Sequence, residues 1–200
     1  MTDTFPVLLD GYTDLPVGKI ANVVTFLEIT GPPAATPAPA GLTVVGARHA
    51  NPDAFLALYR RIGEQWLWTS RAAMPKAALA ALLAAPTTRV LTLEKDGVAI
   101  GLVEVDYSVP GDAEIVSFGV VPEAVGTGAA RALLAETLAR IFGSGASRAW
   151  LHTCTFDHPR ALGFYRRNGF RPYKFAIEVS DDPRRTGDLP VTAGPHIPLL

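Results

Sequence analysis

The spacing of apolar residues along the chain distinguishes predicted helices from predicted strands. Apolar side chains recur at i, i+3, i+4 and i+7 within 55–62, directly after an Asn-Pro-Asp start at 51–53, which predicts an amphipathic helix. By contrast, 20–30 is rich in β-branched and aromatic residues, which is typical of a strand. The same criteria predict further helices near 75–86, 130–141 and 159–168, and further strands at 89–95, 98–107, 113–121, 148–155 and 170–179.

The order of these segments indicates the fold class. Asp96-Gly97 separates two of the strand segments, and this dipeptide is a strong signal for a two-residue hairpin. A strand–helix–strand sequence follows farther along the chain, and such a crossover joins parallel strands. A hairpin and a crossover in one chain imply a mixed sheet with helices packed on it. We therefore predict an α/β (α+β) fold.

Composition changes on either side of the predicted main domain. The segment Gly31–Gly41 carries prolines that exclude a helix and favour an extended connector. The last 21 residues hold four prolines and predict an irregular tail. We therefore divide the chain into an N-terminal extension with one strand and the connector (1–41), a main domain (42–179) and a C-terminal tail (180–200).

Charge and cysteine content exclude several classes of function. The net charge of the 200 residues is -1, so no overall field recruits nucleic acid or an anionic membrane. Cys154 is the only cysteine, which excludes an intrachain disulfide and a multi-cysteine metal site, and we expect a buried thiol there. The longest uncharged run, Ile29–Ala47, contains four prolines, which exclude a membrane helix. We expect a cytoplasmic protein without nucleic-acid or membrane partners.

One strand-to-helix turn has the features of an anion-binding site. The sequence VVPEAVGTGAA at 120–130 places a Gly-Thr-Gly run at the mouth of a predicted helix. The first turn of a helix leaves backbone N–H groups unpaired, and the macrodipole adds positive charge there. Glycines let a ligand approach the backbone, and the two alanines that follow do not block it. A pyrophosphate suits this arrangement; an ordinary strand-to-helix turn is the alternative.

Local charge strengthens the anion-binding interpretation. Between 131 and 171 the chain carries seven arginines against two acidic residues, and a solvated basic surface is the alternative explanation. The turn lacks the Gly-Lys-Ser/Thr of a Walker loop. Arg131 stands where a dinucleotide-binding turn has its third glycine. A polyanionic ligand of another kind is therefore favoured.

Two motifs resemble those of the GNAT superfamily of acyl-CoA-dependent N-acetyltransferases. The turn at 120–130 is similar to V-x-P-x-x-[QR]-G-x-G-x-[GA], and HPRALGFYRRNGF at 158–170 is similar to N-x-x-A-x-x-F-Y-x-x-x-G-F. Val125 replaces the Gln or Arg of the first motif, which removes a side-chain contact to the phosphates. His158 replaces the Asn of the second motif. The resemblance extends over 42–179.

This resemblance implies a mostly antiparallel sheet that splays beside the acyl-CoA strand. It implies acetyl-CoA as co-substrate, no metal, and transfer of the acetyl group to a primary amine of a small molecule or peptide by direct attack in a ternary complex. Backbone N–H groups at 118–120 would face the thioester and the pantetheine. The residues implied in binding acetyl-CoA are Phe118, Gly119, Val120, Val125, Gly126, Thr127, Gly128, Ala129, Ala130, His158 and Tyr165.

The resemblance also implies catalytic residues. Tyr165 is the tyrosine of the second motif and would protonate the departing thiolate, since a phenol of pKa ~10 can do so; a core tyrosine is the alternative. Glu114 is the candidate base that deprotonates the amine, because period-two alternation places it on the face of Phe118 and Val120. The rival bases are Glu104, Asp106 and His152.

The resemblance also implies where the acceptor binds. In this superfamily the segment between the first two helices forms a wall of the acceptor pocket. We expect Trp66 and Trp68 to form an aromatic wall and Arg71 to bind a carboxylate of the acceptor; packing of one tryptophan in the core is the alternative. The N-terminal strand and connector are candidates for the pocket wall or for a homodimer interface. Two other functions stay open, a catalytically silent acyl-CoA-binding or regulatory module and a nucleotide-binding domain.

Overall fold

The structure is a computed structural model that describes residues 7–8, 10–32, 40–47 and 51–200. The strands are β1 (Lys19–Ile29), β2 (Leu42–Ala47), β3 (Thr88–Lys95), β4 (Val98–Asp106), β5 (Asp112–Val120), β6 (Arg148–Cys154) and β7 (Arg171–Asp181). The α-helices are α1 (Pro52–Gly63), α2 (Lys76–Ala84), α3 (Ala129–Gly143), α4 (Ala161–Arg167) and α5 (Pro183–Thr186). Within the described ranges, no helix combines the length and the apolar character needed to cross a membrane.

All seven strands belong to one sheet, with the order β2-β3-β4-β5-β6-β1-β7. Neighbouring strands are antiparallel except for β5 and β6, which are parallel. Parallel neighbours need a crossover connection, and α3 supplies it between these two strands. The predicted mixed, mostly antiparallel sheet with flanking helices is therefore confirmed.

Local sequence signals place α1 and the β3–β4 hairpin where periodicity predicts them. The Oδ1 atom of Asn51 accepts hydrogen bonds from the backbone N–H groups of Asp53 (2.9 Å) and Ala54 (3.2 Å) and so caps α1. The predicted apolar stripe of α1 is buried in the main core. In the hairpin turn, Asp96 and Gly97 have φ values of 51° and 76°, and two positive φ angles are what a type I′ turn requires.

Strand β1 lies inside the sheet, although it is predicted as part of an N-terminal extension. It pairs with β6 on one side, where Val24 is opposite Cys154, and with β7 on the other, where Asn22 is opposite Glu178. The division at residue 42 therefore does not coincide with an edge of the sheet. Residues 33–39 of the connector lie outside the described residues.

The C-terminal tail is organised around a buried arginine. Apolar residues of the tail pack on Leu67 in a second, small cluster. Arg184 donates to both carboxylate oxygens of Asp182, from Nε to Oδ1 at 2.9 Å and from Nη2 to Oδ2 at 2.7 Å. It also donates to the backbone carbonyls of Ile197 (2.7 Å) and Pro198 (3.1 Å). The tail predicted to be irregular thus contains the short helix α5 and packs on the body of the protein.

The separation of β5 from β6 shapes the site. The two strands pair only at 112–114 of β5 and 148–150 of β6. Beyond this point β5 remains paired with β4 as far as Val120, but its opposite edge is no longer paired with β6. The backbone groups on that side face a gap, and the splay implied by the resemblance is present.

Candidate active site

A cleft of about 490 Å³ occupies the gap between β5 and β6. Its walls come from residues 115–120 of β5, from β6, from the turn before α3, from α4 and from 65–70 after α1. Residues of β1, β7 and the tail close the far side. A cavity of this size falls in the range of small-molecule sites, and it joins the glycine-rich turn to the aromatic segment.

The glycine-rich turn forms an open anion cradle at one end of the cleft. Gly126 and Gly128 have φ values of 84° and 90°, a conformation that glycine adopts at least cost. Within the described residues, their N–H groups and those of Ala130 and Arg131 have no backbone acceptor. Thr127 Oγ1 donates to a backbone carbonyl of the preceding turn at 2.8 Å and braces the loop. A Cβ built on Gly126 meets no atom within 4 Å, so the space beside the cradle is open.

The predicted cradle residues divide into lining and supporting residues. Val125, Gly126 and Ala130 line the cleft, and so do Arg160, just before α4, and Arg167 in α4. The remaining three residues of the turn, 127–129, hold its shape. Positive charge from α4 and unpaired N–H groups from the turn therefore face one cavity, which favours a polyanionic ligand.

Strand β5 directs alternate backbone N–H groups into the cleft. The N–H of Val121, one residue beyond the end of β5, donates to the carbonyl of Ile100 on β4 at 2.9 Å. In an antiparallel ladder, groups that point to the same neighbour recur at every second residue. The N–H groups of Phe118 and Val120 therefore point away from β4 and toward the gap, whereas that of Gly119 points toward β4.

Gly119 has a steric role in the site. A Cβ at this position would lie 2.4 Å from Cγ2 of Ile62 and 3.3 Å from the ring of Trp68. The contact of 2.4 Å is too short for any side chain, and the one of 3.3 Å is tight. The absence of a side chain at Gly119 therefore allows α1 and the aromatic segment to pack directly on the cleft strand.

Tyr165 of α4 has its ring in an aromatic cluster beside β5. The centroid of its ring lies 6.0 Å from that of Phe118, 5.4 Å from that of Phe164 and 5.8 Å from that of Phe170, all edge-on. Tyr165 is 8% exposed, and it lines the cleft. Burial, with a smaller effect from the Asp157 carboxylate, raises the pKa of Tyr165. The phenol therefore stays protonated at neutral pH, and Tyr165 is both a core residue and a cleft residue.

His158 organises the start of α4. Its Nδ1 atom accepts a hydrogen bond from the backbone N–H of Arg160 at 3.0 Å, as the carbonyl oxygen of an asparagine does in the same position. The His158 ring also packs against Trp66, with 5.1 Å between ring centroids, and it lines the cleft. The replacement of Asn by His in the second motif therefore retains the local hydrogen bond.

A β-bulge places Glu114 on a different face of β5 from Phe118. The register of β4 and β5 shifts by one residue at Val116, as one extra residue in a strand produces. An extra residue reverses the alternation of side chains. Glu114 therefore lies opposite Asp106, on the face of Glu104, and the expectation that it shares the face of Phe118 and Val120 is wrong.

The acidic residues on that face form a network with Arg71. Glu104 is 1% exposed and accepts three hydrogen bonds from Arg71 at 2.7 to 3.1 Å. Burial, and next the neighbouring Asp106, raise the pKa of Glu114, while Arg71 opposes this shift. Of the four candidate bases, His152 lines the cleft, whereas Glu114, Glu104 and Asp106 do not. Arg71, expected to bind an acceptor carboxylate, is paired with Glu104 and is outside the cleft lining.

The two tryptophans of the aromatic segment both line the cleft but have different settings. Trp68 packs against the main core, and its Nε1 atom donates to Asp157 at 3.2 Å. Trp66 lies between the rings of His158 and His196, with centroid separations of 5.1 and 5.2 Å. Both tryptophans therefore lie in the wall of the cleft, and Trp68 also packs against the core. Their contact with an acceptor stays a prediction.

Cys154 lines the cleft as a protonated thiol. Burial, followed by the charge of Asp157, raises the pKa of Cys154 to about 11, so at neutral pH little thiolate is present. Within the described ranges, no group of three or more His, Cys, Asp or Glu side chains is placed to hold a metal ion.

Some cleft residues have no signal in the sequence. Asn22 and Glu178 are opposite each other on β1 and β7 and both line the cleft. They are 156 positions apart in the chain. Asp157 accepts hydrogen bonds from the side chains of Trp68 and Thr153. The register of distant strands brings these residues together, and local periodicity carries no information about it.

A mixed sheet that opens between one pair of parallel strands, with a glycine-rich helix mouth beside the opening, is the architecture of an acyltransferase of the GNAT type. The family model described as "Acetyltransferase (GNAT) family" matches residues 55–170. The chain therefore belongs to the GNAT acetyltransferase family, as the two motifs predict.

Individual relatives agree with this assignment. An uncharacterized N-acetyltransferase of Mycobacterium tuberculosis is 33% identical over 98 residues, which are 49% of this chain and 62% of the relative. A GCN5-related N-acetyltransferase from Kribbella flavida has a TM-score of 0.59 at 20% identity, over 86% of this chain and 63% of that one. A functionally unknown conserved protein from Staphylococcus epidermidis has a TM-score of 0.62 at 16% identity, over 81% and 62%. The chain thus spans less than two thirds of these relatives' length, and the structural similarities establish the fold.

Proposed function

We propose that this protein is an N-acetyltransferase that transfers the acetyl group of acetyl-CoA to a primary amine of a small molecule or peptide, by direct attack in a ternary complex. The observation that carries the proposal is the cleft shared by three features, namely the open cradle at Gly126, the strand segment of Phe118 and Val120, and the ring of Tyr165. Each suits a different part of an acyl-CoA thioester.

The residues present fit the co-substrate. Unpaired N–H groups of the turn, together with Arg160 and Arg167, suit the pyrophosphate. Val125 contributes its backbone where a longer polar side chain is absent. Acetyl-CoA supplies an acetyl group activated as a thioester. The proposed contacts are Phe118, Val120, Val125, Gly126, Thr127, Gly128, Ala129, Ala130, His158 and Tyr165, with Gly119 keeping the wall free of a side chain.

Backbone donors on β5 would polarise the thioester carbonyl. When the amine attacks, negative charge gathers on the carbonyl oxygen, and the N–H groups of Phe118 and Val120 point into the gap where that oxygen would lie. Such fixed donors do not have to reorganise during the reaction, and one of them is commonly worth about 3 kcal/mol in the transition state.

Tyr165 would supply the proton that the sulfur takes up when the carbon–sulfur bond breaks. The same surroundings that raise the pKa of the phenol raise the pKa of the Cys154 thiol in this cleft. A thiolate leaving inside the cleft is therefore a stronger base than the ordinary thiolate, with a pKa of about 8.5. The base takes one proton from the ammonium before attack and passes it to solvent. The attacking nitrogen gives up a second proton as the new amide bond forms, and this second proton restores Tyr165 through water.

For the base we place His152 ahead of Glu114. His152 lines the cleft, whereas Glu114 lies beside Asp106 and the Arg71–Glu104 pair. A general base must reach the proton that it removes, directly or through one water. His152→Gln is expected to lower kcat/KM by at least about a hundredfold, and Glu114→Gln by less than about threefold; the reverse order would restore Glu114 as the base.

Binding and turnover together test the proposed function. Acetyl-CoA should raise the melting temperature, and a panel of primary amines should include one that releases free thiol. Tyr165→Phe should lower kcat by about a hundredfold or more and leave the calorimetric Kd of acetyl-CoA within twofold. No change in melting and no heat at saturating acetyl-CoA would refute the proposal.

A catalytically silent acyl-CoA-binding or regulatory module is the second candidate. It is motivated by Val125 in place of the phosphate-contacting side chain and by the position of Glu114 away from the cleft lining. This module would bind acetyl-CoA and release no thiol with any amine. Acetylation of one amine at a rate that depends on Tyr165 excludes it.

A further inference from the structure

We propose that the acceptor carries a second amino group besides the one that is acetylated, and that Asn22 and Glu178 bind this second group as an ammonium. This rests on the proposed function, since it assigns the acceptor class for the same cleft. The substrate class is a diamine or polyamine, and not an amino acid held by its carboxylate.

Asn22 presents an unsatisfied acceptor to the cleft. It is 6% exposed and lines the cleft. Its Nδ2 atom donates to Oε2 of Glu178 at 2.9 Å, which fixes the orientation of the amide, because a carboxylate accepts hydrogen bonds. Its Oδ1 atom is buried and has no hydrogen-bond partner among the described residues. Buried polar atoms of this kind are rare and call for a partner, and here that partner must be a donor.

The charges at this end of the cleft select a cation. Glu178 and Asp157 are the carboxylates that line the cleft. Asp157 already accepts hydrogen bonds from Trp68, Thr153 and the backbone of Cys154, whereas Glu178 keeps oxygen lone pairs free beside Asn22. Because Arg71 is bound to Glu104 and lies outside the lining, it offers no contact to an acceptor carboxylate. An ammonium with several N–H donors meets these groups best.

The position of β1 separates this ammonium from the reacting amine. Asn22 is on β1, which lies two strands away from β5 in the sheet. Paired strands are about 4.8 Å apart, and β5 and β6 have parted beside the cleft. Asn22 is therefore at least about 10 Å from the backbone of Phe118 and Val120. The attacking nitrogen has to lie near that backbone, so the group at Asn22 is a second group of the same molecule.

Equilibrium binding to the protein loaded with CoA tests this inference without requiring turnover. The probes are diaminopentane, pentylamine and aminopentanoate, which share a five-carbon chain and differ at one end. Calorimetry should give a Kd for diaminopentane at least about fivefold lower than for pentylamine, with aminopentanoate weakest. Added salt should weaken diaminopentane binding more than pentylamine binding.

Two variants identify the residues. Glu178→Gln should weaken the binding of diaminopentane about threefold to fivefold, since Glu178 is exposed to solvent. Asn22→Leu should weaken it about tenfold. Neither variant should change the Kd of pentylamine. Glu136→Gln, which removes the same charge from the exposed side of α3, is the matched control and should change neither. Asn22→Leu is expected to fold with an undiminished melting temperature, because it removes an unsatisfied buried atom.

Equal binding of diaminopentane and pentylamine, or tighter binding of aminopentanoate, would overturn the inference while the acetyltransferase proposal stands. Conversely, selective binding of diaminopentane that depends on Glu178 supports the inference, whether or not an amine is acetylated. If no amine is acetylated, only the proposed reaction fails. A Glu178→Gln effect matched by the Glu136→Gln control would also overturn it.

Discussion

Replacement of Arg184 by methionine is expected to release the C-terminal tail from the wall of the cleft. Arg184 and Asp182 are 5% and 3% exposed, and the guanidinium joins the Asp182 carboxylate to the carbonyls of Ile197 and Pro198. Methionine keeps an apolar side chain of similar length but no donor. The variant therefore removes the guanidinium donors from two carbonyls and from a buried carboxylate, which keeps one hydrogen bond, from the backbone N–H of residue 184 at 2.9 Å.

The size of the effect follows from these lost contacts. Removal of one partner of a buried ion pair costs roughly 3–5 kcal/mol. We take the lower end, about 3 kcal/mol, because Asp182 keeps the hydrogen bond from the backbone N–H of residue 184. This shifts the equilibrium between docked and undocked tail by roughly 150-fold. Trp66 packs on His196 of the tail and Pro183 lines the cleft, so an undocked tail should also raise KM for the acceptor.

Hydrogen exchange measured by mass spectrometry is the assay. Amides of the tail, such as those of Leu189 and Ile197, which donate within it, should exchange about a hundredfold faster in Arg184→Met. Peptides from β3 to β5 should not change. Arg185→Met alters the adjacent, exposed arginine and is the matched control. Unchanged tail exchange in Arg184→Met, or an equal effect of Arg185→Met, would refute the reasoning.

Three further predictions concern the cradle, acid pH and the thiol. Gly126→Ala should cost about 1–2 kcal/mol of stability and weaken acetyl-CoA binding, because φ is 84° there. Gly143→Ala, at a helix end with open space, is the control. Equal Kd values for acetyl-CoA in the two variants would contradict the prediction. The hydrogen bonds of Arg184 lower the pKa of Asp182. The stability that this pair contributes is therefore complete above the usual aspartate pKa of about 3.9 and is lost as pH falls below it. An acid titration followed by tryptophan emission should show this loss, and the Asp182→Asn variant should lack it. Cys154, whose pKa is raised to about 11, should react with iodoacetamide at neutral pH at least tenfold more slowly than a free thiol with a pKa of about 8.5; an equal rate would contradict the burial argument.

Much of the fold follows from local signals in the sequence. The cap at Asn51, the turn at Asp96-Gly97 and the apolar stripe of α1 each depend on residues within one or two turns of one another. The glycine-rich turn and the helix with Tyr165 are local in the same sense, which is why two short motifs identify the family.

The rest of the site depends on strand register, which local patterns do not encode. A single extra residue at Val116 moves Glu114 to the other face of β5, and no signal in 113–121 marks that bulge. The pairing of Arg71 with Glu104 joins a loop to a strand, and the meeting of Asn22 with Glu178 requires β1 to lie beside β7. These contacts depend on how distant strands pair in the complete sheet.

The insertion of β1 between β6 and β7 has a consequence for the order in which the chain is assembled. Val24 is opposite Cys154, and Lys19 is opposite Asp181, so this strand is synthesised well before either of its partners. Closing loops of this length delays pairing. On the ribosome β1 therefore has no sheet partner until β6 and β7 have been synthesised, whereas β2 to β5 can already form their antiparallel pairs. The cleft, whose far wall is β1, therefore cannot be complete before β6 and β7 have joined the sheet.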